Sequence, residues 1–523
     1  MSSAARDPRL LPPDWSASEA APARRLRLLL LLAIPLAIWY FGWLLQPARV
    51  GVPALFGLLV AAEVFNLVQA AGFWWTVTRR GRRARPARRR GRPPLVDVLI
   101  PTYDEPLAVI EPTVRAATAL RGARVVVSVL DDGCRAEVEA MAARCGARYV
   151  PREDRKGAKA GNINSALLST GAPYVAVFDC DHVARPDFLE RTLELMGEER
   201  VAFVQTPQYY GNARRGGIAA AAWAQQALFF GAISRGKDAD DAMFCCGTNV
   251  LFRRTALESV GGFPTDSITE DFVLSVKMHE RGWETRYLPE VLAVGLGPED
   301  MASYVSQQRR WARGCLGAIW PVLRARLPFR KRLHYLLSSG YFLSGWALLV
   351  YMSFPVIRIL SGAQPIAAAS ADQFLIHFAP YFCTALTIVA VAGRGAYTFS
   401  GFALAAASFW IHILASLAAL TRRAGRFVVT PKQGAGRRQP LAAAPTLLAI
   451  AVLLAASVWG FVHQRSPSTL NNVAFALLHV TVLVSGARWA LVRGASTEEE
   501  IAAPAAAREP RRKPAQTVGE GTG

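Results

Sequence analysis

Six long apolar segments are the feature that most constrains how this chain can fold. Each approaches or exceeds the roughly 20 residues that a helix needs to cross a bilayer, and only two of them carry a charge, Glu63 and Arg488. Because a charged residue at mid-membrane costs about 2.5–3.5 kcal/mol, we expect Glu63 to face other helices. The 523-residue chain should therefore combine a membrane part with a soluble part. The predicted spans are 28–45, 51–77, 335–357, 373–392, 441–462 and 470–492.

Positive charge is concentrated beside these segments. Nine of the fourteen residues at 79–92 are Arg, and further basic groups lie at 309–332 and 422–438. The loops on the other side of the membrane contain only two Lys or Arg residues, Arg49 and Arg465. Since basic loops stay cytoplasmic, this asymmetry predicts a multi-pass protein of the inner (plasma) membrane with both termini inside. The clustering favours the lipid bilayer, and not nucleic acid, as the partner of a chain with net charge +21.

A polar block between the second and third predicted spans, residues 94–297, has the pattern of an α/β domain. Short β-branched runs alternate there with helical stretches, which favours a mainly parallel sheet. The expected strands are 96–101, 125–130, 174–178 and 202–205. Ligands bind at the carboxyl ends of such strands, and acidic residues occupy these ends. The acidic residues are Asp104, Glu105, Asp131, Asp132, Asp179 and Asp181.

The remaining chain divides around the spans. The apolar segment 397–420 could be a seventh span, but a crossing there would place the basic group at 422–438 outside. We therefore expect this segment to lie flat on the cytoplasmic interface. The predicted organisation is a disordered tail at 1–25, two spans in 26–78, the cytosolic domain at 94–297, an interfacial helix region at 298–332, two spans in 333–393, an interfacial helix and loop in 394–438, two spans in 441–493 and a disordered tail at 494–523.

The acidic residues suggest phosphate chemistry with a metal ion. Asp179 and Asp181 stand two apart after a predicted strand, so both carboxylates can reach one hard cation, Mg²⁺ or Mn²⁺, that also binds phosphate oxygens. Alone, a D-x-D pair is more often a turn or helix cap, and Asp132 has the same alternative. Lys159 offers a cation near phosphate, and Asp271 offers a carboxylate that can remove a proton from an acceptor hydroxyl.

After these elements, Gln307, Arg310 and Trp311 form a Q-x-x-R-W pattern. With it, residues 95–435 resemble the family 2 membrane-integrated processive glycosyltransferases, which include the cellulose, chitin and hyaluronan synthases. The resemblance implies an α/β, GT-A-like cytosolic domain inserted in an α-helical transmembrane domain. It also implies that Trp311 lies against the acceptor sugar, with Gln307 and Arg310 near the donor and its diphosphate.

The resemblance also implies roles for the other candidates. Asp132 would contact the nucleotide of a UDP-sugar, Lys159 would lie near nucleotide and diphosphate, Asp179 and Asp181 would hold the metal-bound diphosphate, and Asp271 would be the general base. Cys246 matches the Cys of the family's acceptor-side segment. Where the family usually has Tyr-Asn-Glu, this chain has Tyr103-Asp104-Glu105, so an extra carboxylate is expected to change the contacts to the nucleotide.

A further hexapeptide, at 427–432, resembles the F-x-V-T-x-K gating loop of bacterial cellulose synthases. It implies that Phe427, Thr430 and Lys432 contact the nucleotide or the catalytic pocket. Only 91 residues follow Lys432, which leaves no room for the cyclic-di-GMP-binding domain found at this place in those enzymes. Regulation by that nucleotide is therefore not expected.

These features predict a UDP-sugar-dependent, inverting and processive hexosyltransferase. We expect it to polymerise the sugar of a UDP-hexose, with UDP-glucose favoured by the gating loop, into a β-linked polysaccharide. The growing polysaccharide is the acceptor and would leave through a channel formed by the protein's own transmembrane helices. Tyr341, Trp346 and Tyr351 are candidates for the pore wall, although interfacial anchoring is the commoner role of such residues. The linkage and the need for an accessory export subunit stay open. Two alternatives remain: a non-processive transferase that glycosylates a lipid phosphate, and a channel or transporter with a nucleotide-sugar-sensing domain.

Overall fold

The structure is a computed structural model of the chain and describes residues 20–79, 92–421, 438–464 and 466–492. Two long apolar helices come first: α1 (Ala20–Leu44) and α2 (Pro53–Thr78). Helix α1 begins earlier than the predicted start of the first span. Helix α2 has Pro53 in its first turn, where the missing proline N–H removes no helical hydrogen bond.

The polar block folds around two β-sheets. Their strands are β1 (Leu95–Thr102), β2 (Arg124–Asp131), β3 (Arg148–Pro151), β4 (Tyr174–Val177), β5 (Val183–Ala184), β6 (Val201–Gln205), β7 (Tyr209–Tyr210), β8 (Val250–Arg253), β9 (Glu284–Tyr287) and β10 (Ala293–Gly295). The main sheet has the order β3-β2-β1-β4-β8-β6-β9, and the small sheet has the order β5-β10-β7. Strands β1 to β4 run parallel, whereas β8 is antiparallel to β4 and β6.

The four predicted strands are confirmed, with each end within one residue of the observed end. The register pairs Thr102 of β1 with Asp131 of β2. Their carboxyl ends therefore lie side by side, and the residues that follow them share one edge of the sheet. The short antiparallel strand β8 has no counterpart among the predicted strands.

The α-helices of the polar block lie on both faces of the main sheet and beside it. They are α3 (Leu107–Thr118), α4 (Ala136–Arg144), α5 (Ala158–Leu168), α6 (Phe188–Leu193), α7 (Gly217–Leu228), α8 (Ser234–Ala239), α9 (Arg254–Ser259) and α10 (Glu270–Glu280). Every residue of β4 is buried, as expected for a strand covered on both faces. On one face Val98 packs in a core with Ile110 of α3, and on the other Leu99 packs in a core with Ile163 of α5.

The rest of the described chain is helical. Its helices are α11 (Met301–Gly317), α12 (Ile319–Arg324), α13 (Phe329–Gly340), α14 (Ser344–Ser361), α15 (Ala371–Gly393), α16 (Phe399–Ala407), α17 (Phe409–Leu420), α18 (Ala444–His463) and α19 (Pro467–Leu491). Among the described residues, six helical stretches are long and apolar enough to cross a membrane: α1, α2, α13 with α14, α15, α18 and α19. They coincide with the six predicted spans.

The segment predicted to lie on the interface forms α16 and α17, which are bent by 45° relative to each other. Helix α16 lies so close to α7 that a Cβ added at Gly401 would come within 2.8 Å of the Gln225 nitrogen. Helix α17 contacts α14 as closely, since a Cβ at Gly345 would come within 2.2 Å of the Phe409 oxygen. The pair thus connects the α/β domain to the long apolar helices, and its interfacial position stays a prediction.

The acidic residue in the second apolar helix is buried among other helices. Glu63 is 6% exposed and accepts a hydrogen bond of 3.0 Å from the Tyr351 hydroxyl of α14. Asn66 donates to the same hydroxyl oxygen at 2.8 Å. The expectation that Glu63 faces other helices is therefore confirmed. Tyr351 is the hydrogen-bond donor to this buried carboxyl group.

Candidate active site

A cavity of about 410 Å³ lies between the carboxyl edge of the main sheet and helices α10 and α11. Its volume is in the range that holds a nucleotide-sized ligand. Every candidate residue that the structure describes lines it: Tyr103, Glu105, Asp132, Lys159, Asp179, Asp181, Cys246, Asp271, Gln307, Arg310 and Trp311. The other three candidates, Phe427, Thr430 and Lys432, lie outside the described residues.

The sheet side of the cavity is formed by the residues that follow β1, β2 and β4. After β1, the Glu105 carboxylate accepts hydrogen bonds from the Thr102 hydroxyl at 2.8 Å and from the Tyr103 N–H at 2.9 Å. This closes a tight turn that presents Tyr103 at the cavity. The Arg155 guanidinium lies 5.1 Å from the Tyr103 ring centroid and donates to its hydroxyl oxygen at 3.2 Å.

After β2, Asp132 is held by an arginine that sequence reasoning missed. The Arg152 guanidinium donates two hydrogen bonds of 2.8 Å to the two carboxylate oxygens of Asp132. It also donates to the carbonyls of Lys156 at 2.8 Å and Ala158 at 3.0 Å. Arg152 thus ties Asp132 to the turn that starts α5, and no sequence pattern that we recognised pointed to it.

Lys159 stands in the first turn of α5, after the left-handed residues Gly157 (φ 75°) and Ala158 (φ 45°). Its ammonium donates to Asp179 Oδ1 at 2.5 Å and to the Gly247 carbonyl at 2.7 Å. Burial by itself lowers the pKa of Lys159, but the charges of Asp179 and nearby carboxylates outweigh it and raise that pKa. The lysine therefore stays a cation at the centre of the cavity.

Three side chains after β4 could hold a metal ion. Ligand atoms of Asp179, Asp181 and His182 all lie within 4.8 Å of one another. His182 Nδ1 is 3.0 Å from Asp181 Oδ1, and His182 Nε2 is a buried polar atom with no hydrogen-bond partner among the described residues. Two carboxylates and an imidazole suit a divalent cation. His182 was absent from the sequence prediction, although it directly follows the D-x-D pair.

The helix side of the cavity begins with two adjacent carboxyl groups at the start of α10. Burial and the neighbouring Glu270 charge raise the pKa of Asp271 above its ordinary value, and burial also raises the pKa of Glu270. Gly247 (φ 82°) faces them so closely that an added Cβ would lie 3.0 Å from Asp271 Oδ2 and 3.6 Å from Lys159 Nζ. This close approach and the positive φ both favour glycine there.

Helix α11 supplies the remaining part of the helix side. Asp300 caps this helix by accepting a hydrogen bond of 2.8 Å from the Ser303 N–H. The Gln307 amide nitrogen donates to the Tyr210 hydroxyl at 3.3 Å, while Gln307 Oε1 has no partner among the described residues. Trp311 lines the cavity and also packs beside a cluster that contains Phe342, between α13 and α14.

Cys246 is fixed by its backbone. Its N–H donates to Gln205 Oε1, and its carbonyl accepts from Gln208 Nε2, both at 2.8 Å. Burial raises the pKa of the Cys246 thiol well above its ordinary value, so the thiol is a poor nucleophile. The residue serves as part of the wall between the sheet and α11.

Known proteins resemble the chain over most of its length. It is 33% identical over 464 residues to the putative cellulose synthase 2 of Komagataeibacter xylinus, covering 83% of this chain and 30% of that protein. It is 30% identical over 509 residues to the cellulose synthase catalytic subunit (UDP-forming) of Pseudomonas fluorescens, covering 93% of this chain and 67% of that protein. The chain thus spans about a third of the length of the first relative and two thirds of that of the second.

A solved structure shows the same fold. A mannosyltransferase from Pyrobaculum calidifontis, in complex with GDP-Man and Mn²⁺, superposes with a TM-score of 0.52 at 19% identity, covering 71% of this chain and 99% of that chain. This similarity bears out the predicted GT-A-like fold. Residues 174–484 match the family described as glycosyl transferase family group 2. The match covers more than half of the chain, and the alignment to the cellulose synthase catalytic subunit covers 93% of it, so this chain belongs to glycosyl transferase family group 2.

Proposed function

We propose that this protein is an inverting, processive glycosyltransferase that adds hexosyl units from a UDP-sugar to a growing β-linked polysaccharide. The observation that carries the proposal is the single cavity that combines Asp132, Lys159 and the Asp179–Asp181 pair with Asp271 and the Q-x-x-R-W residues of α11. The names of the relatives, cellulose synthases and a UDP-forming catalytic subunit, support UDP-glucose as donor and a cellulose-like β-glucan as product.

The sheet side is proposed to bind the donor. Tyr103, Glu105 and Asp132 would contact the nucleotide, with Arg152 holding the Asp132 carboxylate in place. Lys159 and Arg310 would place positive charge on the diphosphate. Such cations stabilise the leaving group most when they are already positioned where its negative charge develops.

A divalent cation, Mg²⁺ or Mn²⁺, fits the residues after β4. Asp179, Asp181 and His182 would hold it, since one possible ligand atom from each lies within 4.8 Å of the others. When bound, the ion would neutralise charge on the donor diphosphate.

The helix side is proposed to carry the proton transfer. Asp271 would accept the proton of the acceptor hydroxyl while that oxygen forms the new bond to the anomeric carbon and the bond to UDP breaks on the opposite face. A base with a raised pKa accepts a proton more readily near neutral pH. Attack from the opposite face converts an α-linked donor to a β-linked product.

The acceptor is proposed to lie between Cys246 and Trp311 and to leave among the long apolar helices. Trp311 supports this path because it lines the cavity and also packs beside the α13–α14 junction. Near that junction, Tyr341 and Trp346 are each 40% exposed and stay candidates for a pore wall. The positive-inside rule would place the catalytic domain in the cytoplasm of a multi-pass inner-membrane protein.

The deciding experiment supplies the purified protein in lipid vesicles with Mg²⁺ and single UDP-hexoses. We expect a high-molecular-weight product from UDP-glucose that linkage-specific glucanases digest. Transfer of a single sugar to a lipid phosphate would contradict processive synthesis, and export of preformed glycan without synthesis would favour a transporter. Adding Mn²⁺ in place of Mg²⁺ decides which ion supports the higher rate.

A further inference from the structure

A buried lysine joins three elements behind the helix side of the cavity. Lys237 of α8 is 2% exposed, and its ammonium donates to the His334 carbonyl at 3.0 Å and to the Ser338 hydroxyl oxygen at 2.8 Å, both in α13. The same nitrogen lies 5.1 Å from the ring centroid of Phe244. An ammonium has three N–H donors, and an aromatic face attracts a cation at this distance.

Phe244 lies between two residues that line the cavity, Cys246 and Asp271. Along the chain it comes shortly before Cys246, which lines the cavity. Across the core its ring meets Phe272 edge-on, with centroids 4.8 Å apart. Phe272 follows Asp271 and donates its N–H to Asp271 Oδ1 at 2.8 Å. A shift of the Phe244 ring would therefore move the wall at Cys246 relative to the Asp271 carboxylate.

One hydrogen bond beside Lys237 forms without the lysine. The Ser338 hydroxyl donates independently to the His334 carbonyl at 2.9 Å, so this part of α13 keeps a hydrogen bond without the lysine. Burial lowers the pKa of Lys237 to about 7, which means that the surroundings disfavour its charged form. A buried charge that an apolar side chain of similar length could replace is weak support for stability.

We propose that Lys237 is a positioning residue whose ammonium holds Phe244 against Phe272 and so sets the distance between the acceptor wall at Cys246 and the base Asp271. The inference rests on the proposed function, because it assigns Lys237 a part in the transfer step. It predicts an effect on turnover and little effect on donor binding, since Tyr103 and Asp132 lie on the sheet side.

The test is a double-mutant cycle on Lys237→Met and Phe244→Leu, measured as polymer formation by the full chain in lipid vesicles. We expect Lys237→Met to lower kcat about tenfold, with the KM for the UDP-sugar changed less than about twofold. The double variant should be no slower than the slower single variant, because both changes disturb one contact. Additive effects on kcat, or a wild-type kcat in Lys237→Met, would overturn the inference.

Arg79→Gln is the matched control. Arg79 of the α2 end pairs with Asp240, which also contacts His334, so this variant loosens the same junction without touching Lys237 or Phe244. Its Tm should fall while its kcat per folded molecule stays within about twofold of wild type. A kcat loss equal to that of Lys237→Met would show general loosening and would overturn the inference.

Two further arms keep the outcomes apart. If Lys237→Met fails to fold, Lys237→Gln replaces it, since the amide keeps donors for α13 but carries no charge for Phe244. If the wild type forms no polymer from any UDP-hexose, the proposed function fails. If the wild type polymerises and both Lys237 variants keep its kcat, the inference alone fails.

Discussion

The two sides of the cavity differ in the surroundings of their carboxylates. On the sheet side each aspartate has a nearby basic partner: Asp132 has Arg152, Asp179 has Lys159, and Asp181 has His182. On the helix side Glu270 and Asp271 stand next to each other, and the pKa of each is raised. Carboxylates beside basic groups suit the binding of ions and phosphates, whereas a carboxylate with a raised pKa suits proton transfer.

The difference follows from the elements that carry these residues. Strand ends in register place side chains from β1, β2 and β4 along one edge, where each can reach cations from the following loops. The start of α10 instead lies under Gly247 and beside α11, where burial dominates. Substitutions on the two sides should therefore affect different kinetic quantities.

The largest effect is expected on the helix side. Asp271→Asn should lower kcat about 10²–10⁴-fold, because an amide cannot accept the acceptor proton. UDP binding, measured by calorimetry, should stay close to that of wild type. Glu280→Gln, at the other end of α10, is the control and should keep its rate. Polymer formation by Asp271→Asn at the wild-type rate would remove Asp271 as the base.

A change at the metal candidates should act on the sheet side. Asp181→Asn is expected to weaken metal-dependent UDP binding and to lower the rate about 10²-fold, since one charged ligand of the cation is lost. Electron paramagnetic resonance of Mn²⁺ in the presence of the protein and increasing UDP would measure this binding. Asp187→Asn, whose carboxylate pairs with Arg185 outside the cavity, is the control. Unchanged Mn²⁺ binding would mean that the cation lies elsewhere.

Trp311 should affect the acceptor more than the donor. Trp311→Ala is expected to shorten the polymer and to slow transfer about tenfold, which corresponds to about 1.4 kcal/mol. Trp311→Phe keeps an aromatic face and should retain more of the polymer length and of the transfer rate. Product length by size-exclusion chromatography checks this, with the exposed Trp320→Ala of α12 as control. Equal loss in both Trp311 variants would contradict a stacking role.

The smallest effect is a shift in pH dependence. Asp271 must be deprotonated to act, so kcat should fall as the pH drops through its raised pKa, above the ordinary aspartate value of about 4. Glu270→Gln removes the neighbouring charge and should move this acid limb to lower pH by about one unit. The measurement is kcat against pH. A limb that stays in place would show that Glu270 does not set the pKa of Asp271.

Much of the site can be located from the sequence. Asp132, Asp179 and Asp181 follow β-branched runs, so their place at one sheet edge follows from the alternation of strands and helices. The six candidate spans were readable because a long apolar helix satisfies all its backbone hydrogen bonds within the segment, as lipid requires. Motif order added Lys159 and Asp271, which the structure brings to the same cavity.

Other parts of the site could not be read in this way. Arg152, His182 and Gly247 reach the cavity through contacts between elements that are distant in the chain or through backbone conformation. Phe244 belongs to the segment that resembles the family's acceptor-side segment, but its position between Lys237 and Phe272 follows only from the packing.

The local properties of this protein follow from its sequence. Hydrophobic period and length set the helices and strands, and the placement of arginines predicted the membrane orientation, because these depend on neighbouring residues and on solvent. Tertiary packing, in contrast, sets which carboxylates have a basic partner and which have a raised pKa. Burial and charge partners arise when α10 and α11 pack over the sheet, and no linear pattern specifies them.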